Sequence, residues 1–62
     1  MITLQQMHAL LVRMEFPATR AELLEQAMKM GAPSAALQRL RALPDYFYGS
    51  VDTVMDALHG ME

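Results

Sequence analysis

An all-α domain, a small bundle of four short helices packed orthogonally, is the fold class this sequence predicts. Three observations lead to it. Apolar residues recur by threes and fours, hydroxyl residues stand where helices would begin, and Pro or Gly stands where they would end. The hydrophobic share of 53% against 19% charged residues is too apolar for a disordered chain, whose burial could not offset ordering entropy. The 62 residues suffice for one domain over 1–62 with a thin core, and no cysteine is present to reinforce it.

The first helix is expected from about Leu4 to Met14. Thr3 is its N-cap, and Leu4, Met7, Leu10, Leu11 and Met14 gather on one side. Pro17 breaks it and disfavours helical geometry at Phe16. The second helix opens on a capping box, Thr19 with Glu22, and carries the apolar stripe Leu23, Leu24, Ala27 and Met28. It closes at Gly31, which tolerates the left-handed conformation, with the cation Lys29 in the last turn. Pro33 suits the first turn of the third helix, along which Leu37, Leu40 and Leu43 line up until Pro44 ends it. Ser50 caps the fourth helix, Asp52 sits in its first turn, and Val51, Val54, Met55 and Leu58 follow the helical spacing up to Gly60.

Four such helices use up the length, so neither a linker nor a second domain is expected. FPATRAELLEQA and FYGSVDTVMDAL echo one another as aromatic, turn, hydroxyl cap and apolar helix, an echo that shared capping chemistry suffices to explain. The opening MITLQQMHALLV lacks a basic leader, and no apolar run approaches membrane-spanning length. A soluble protein of a reducing compartment, the cytoplasm, is the expectation. The formal charge of −2 gives no sign of a polyanionic partner.

FPATRAELLEQA, then GAP, then a leucine-spaced helix ending in LPD, then Y-G-S-x-D-x-V-M, resembles the small bacterial proteins grouped as the domain of unknown function 2795. The resemblance runs from Phe16 to Leu58, about two-thirds of the chain. It implies a compact all-helical bacterial domain and supplies no activity. The family pattern carries charged residues between LPD and the tyrosine. Here Tyr46 and Phe47 take those places and Tyr48 aligns with the family's own tyrosine. Tyr48, two residues before the Ser50 cap, is therefore expected to be structural, its ring under the fourth helix and its hydroxyl on a backbone group.

Tyr46 and Phe47 have two readings. Phe47 plugs the bottom of the bundle, or the two rings form an exposed patch that marks a protein contact or a self-association surface. Alternation along the loop also allows one ring in and one out. Of seven methionines, Met7, Met14, Met28 and Met55 are expected inside, whereas Met30 lies off the second helix's stripe and joins Tyr46 and Phe47 as a candidate interface residue.

The segment from Leu23 to Leu43 also reads as a helix-turn-helix, which would offer Ser34, Gln38, Arg39 and Arg41 to a nucleic acid. Five cations against seven acids speak against that partner, because phosphate neutralisation supplies most such affinity, and bundle packing alone demands the same pattern. His8 and His59 are the only imidazoles. Asp56 and His59 sit one turn apart near a helix end, too loosely held for acid–base work, and two distant histidines do not make a metal site. The sequence thus predicts a non-enzymatic, self-associating interaction module without cofactor, metal or small-molecule substrate.

Overall fold

A computed structural model describes residues 2–61. Four helices account for most of it: α1 Leu4–Leu11, α2 Arg20–Lys29, α3 Ser34–Arg41 and α4 Val51–Gly60. The all-α expectation needs one correction, because Ala18–Thr19 (β1) and Phe47–Tyr48 (β2) pair as an antiparallel two-stranded sheet, Ala18 opposite Tyr48 and Thr19 opposite Phe47. Two-residue strands leave no alternation to read in a sequence, so their pairing is a tertiary event. No helix among the described residues is long and apolar enough to cross a membrane.

The caps form as their chemistry requires. At α1 the Gln6 N–H donates to Thr3 Oγ1 (3.1 Å) while the Thr3 N–H donates to Gln6 Oε1 (2.9 Å). At α2 the reciprocal pair is Glu22 N–H to Thr19 Oγ1 (3.2 Å) and Thr19 N–H to Glu22 Oε1 (2.8 Å). Ser50 Oγ accepts from the Thr53 N–H at the start of α4. Gly31, at φ 74°, closes α2 with a Schellman pair: Ala32 N–H donates to Ala27 O and Gly31 N–H to Met28 O. Pro33 lies one position earlier than expected. Its ψ of 155° makes it the N-cap of α3 rather than a first-turn residue.

Helix α1 also stops short of Met14. Past Leu11 the backbone tightens into three-residue turns, and Gln26 takes the backbone at Glu15, its Oε1 accepting from the Glu15 N–H (2.7 Å) and its Nε2 donating to the Glu15 carbonyl (3.1 Å). Met14 still reaches the core. On α2 the expected stripe is turned. Leu23 and Ala27 are buried and Leu24 and Met30 are half-buried, but Met28 is 56% exposed. Leu23, Ala27 and Met30 form an i, i+4, i+7 row, and Met28 lies a full residue's rotation outside it.

One core unites the elements: Met7, Leu11 and Met14; Ala18; Leu23 and Ala27; Ala36, Leu40 and Leu43; Tyr48; Val54 and Leu58. Its arrangement is repetitive. The order helix–strand–helix occurs twice, α1–β1–α2 and α3–β2–α4, with elements of 8, 2 and 10 residues each time. Met7, Leu11 and Met14 recur at one constant offset as Ala36, Leu40 and Leu43, and the cap-plus-core set Thr19, Leu23 and Ala27 recurs as Ser50, Val54 and Leu58. The halves interlock: α2 packs on α3, α1 on α4, and β1 on β2. The echo in the sequence thus reflects more than capping, since each copy enters its helix from a strand of the shared sheet.

Candidate interaction surface

The connection from α3 to α4 is short and firmly held. Arg20, the first residue of α2, donates from Nη1 to the carbonyls of Arg41 (3.3 Å) and Leu43 (3.2 Å), occupying acceptors that the end of α3 leaves unpaired. The Tyr46 N–H donates to the Pro44 carbonyl at 2.8 Å. The Tyr48 hydroxyl donates to the same carbonyl at 2.6 Å, and its ring is 1% exposed against α4 and β1. This is the structural role expected of Tyr48.

Burial, the first cause, pushes the Tyr48 phenol above its ordinary value, with the neighbouring Tyr46 acting in the same direction. Arg20 opposes the shift, and Asp45 adds slightly to it.

On this anchored backbone Tyr46 and Phe47 are 65% and 64% exposed. Neither plugs the core. The in–out alternation falls instead between Phe47 and Tyr48 on β2, with Tyr46 outside as well, its ring centroid 6.3 Å from that of Tyr48 at 41°. What the surface offers is aromatic area at little entropic cost, because the loop is already ordered before anything binds.

Met30 does not belong to it. Arg20 fixes the start of α2 beside the end of α3, so Met30, ten residues on, is carried about 15 Å away to the opposite end of the helix, where it packs half-buried on the core. Of the residues considered for nucleic acid, Ser34, Gln38 and Arg41 share one exposed face of α3, whereas Arg39 is half-buried off it. No group of three metal-ligating side chains occurs among the described residues.

Sequence reasoning missed Arg20. Its acceptors lie 21 and 23 residues away along the chain, and nothing local marks an arginine after a cap as a partner for another helix. Arg20→Met should lower stability by about 1–2 kcal/mol, the cost of two charge-assisted bonds partly replaced by water. Amide exchange at Tyr46 and Phe47 should accelerate more than at Leu23, and uniform acceleration would show that Arg20 does not anchor this loop.

No curated protein and no solved structure matches the chain. The model of the family described as a protein of unknown function, DUF2795, matches residues 2–55, so it takes in α1 as well as the segment that carries the resemblance as far as Met55. That match spans most of the 62 residues, and the chain belongs to the DUF2795 family.

Proposed function

We propose that this protein is a non-enzymatic interaction module of the bacterial cytoplasm that self-associates through the loop bearing Tyr46 and Phe47. The observation that supports the reading is the pair of adjacent rings, each about two-thirds exposed, on a backbone held by Arg20 and Tyr48. Total surface does not set the protein apart. The chain exposes 3963 Å², close to the ~4,000 Å² expected of a monomer of its mass. What is unusual is that two large rings sit side by side rather than scattered.

Two rings offer roughly 250 Å² together, well short of the ~800 Å² that each partner of a stable complex buries. Weak, reversible association follows. Sedimentation velocity should show a weight-average mass that rises with concentration, and Tyr46→Arg with Phe47→Glu should weaken association at least tenfold with an unchanged circular dichroism spectrum. A concentration-independent monomer, or a double variant that associates like the parent, would remove self-association from the reading. Retention on heparin, lost on Arg41→Ala, would instead favour the exposed row Ser34, Gln38 and Arg41 as a nucleic-acid contact.

A further inference from the structure

A second surface lies at the other end of α3 from the aromatic loop. Gln6, Ala9 and Leu10 on α1, with Ile2 just before it and Arg13 just after, lie three or four residues apart on one side, and with Pro33 and Ala35 at the opening of α3 they line a groove of about 430 Å³. It runs roughly 15 Å, some three helical turns. Its depth comes from small side chains, Ala9 on one wall and Ala35 on the other, while Ile2, Leu10 and Pro33 supply the apolar lining. None of these residues is fully buried.

The charge along it has one sign. Among the described residues Arg13 is the only charged one of the lining, it is exposed, and no ion pair between described residues engages it. The start of α3 adds to the same field, because Pro33 provides no side-chain cap and no acidic residue stands in the first turn.

We infer that this groove receives an amphipathic helix of a different protein, one whose apolar stripe ends in a carboxylate placed to meet the Arg13 guanidinium. Length and shape suit a helix, which such grooves take through anchors at i, i+3 or i+4 and i+7. Charge disfavours the obvious alternative, a second copy docked face to face, because Arg13 would then meet a lining whose described residues include no carboxylate. Openness speaks against a small amphiphile, since ligand pockets enclose most of their occupant and this groove is a shallow trough. The inference is independent of the aromatic loop. Both surfaces together would let one module bridge two partners.

Selection from a displayed library of helical peptides of about 15 residues, long enough to hold helix, tests it against the full chain. Selected peptides should carry the apolar i, i+3/i+4, i+7 pattern with Asp or Glu at one end, and should shift the amide resonances of Gln6, Ala9, Leu10, Arg13 and Ala35. Arg13→Glu should weaken a selected peptide at least tenfold, and a peptide with Lys in place of its acid should recover that loss. Ala9→Arg, at an exposed helical position that tolerates it, should block both peptides. Selected peptides that shift other residues, an Arg13→Glu variant that binds the acidic peptide unchanged, or concentration-dependent shifts of the groove amides in the free protein would each overturn the inference.

Discussion

Tyr48→Ala should remove most of the stability of this protein. Tyr48 is the largest fully buried side chain, and it joins the α3–α4 connection, β1 and α4 in one place. Deleting a buried aromatic ring costs about 3–5 kcal/mol, because transfer energy is lost and a cavity remains. A domain of this length has only about 3–9 kcal/mol in total. Urea unfolding followed by circular dichroism should show a midpoint near zero denaturant, and a loss below about 1 kcal/mol would mean that the ring is not a core element.

Tyr48→Phe separates the ring from its hydroxyl. It should cost about 1 kcal/mol, since only the bond to the Pro44 carbonyl is removed. It should also alter the alkaline limb of stability. The folded-state value of Tyr48 is raised, so folding holds the proton more tightly than the unfolded chain does. That contribution is complete below the unfolded value near 10 and is lost as pH rises through the folded value. The parent should therefore weaken between pH 10 and its folded value, and Tyr48→Phe should be flatter over that window. An equal slope in both proteins would assign the alkaline loss to other groups.

Leu11→Ala and Leu40→Ala should cost about 2–5 kcal/mol each, and by similar amounts. Both side chains are fully buried, and they occupy corresponding places in the two helix–strand–helix halves. Because α1 packs on α4 and α2 on α3, each half completes its core with residues of the other. Either substitution should thus lower one common transition, with the calorimetric and van't Hoff enthalpies equal. Two separable transitions would mean that the halves are independent, against the single core the structure shows.

The helices were legible because their signals are local. A capping box such as Thr19 with Glu22 is written in four consecutive residues, and the Gly31 stop in the few around it. The structural role of Tyr48 was equally accessible, through its place two residues before the Ser50 cap and its family position. Met28 and Met30 changed places because a stripe read from spacing leaves its orientation free by one residue, and only the rows presented by α1, α3 and α4 choose which residue turns inward. The end of α1 moved for a comparable reason: a glutamine eleven positions away took over the backbone of Glu15.

Local chemistry along the chain, caps, stops and apolar periods, was enough to specify four helices and the residues that begin and end them. The β1–β2 pairing, the reach of Arg20 to α3, the outward turn of Tyr46 and Phe47, and the separation of Met30 from them arose only when the halves packed together. Each of these depends on groups distant in sequence meeting in space, and short-range propensity carries no information about such meetings.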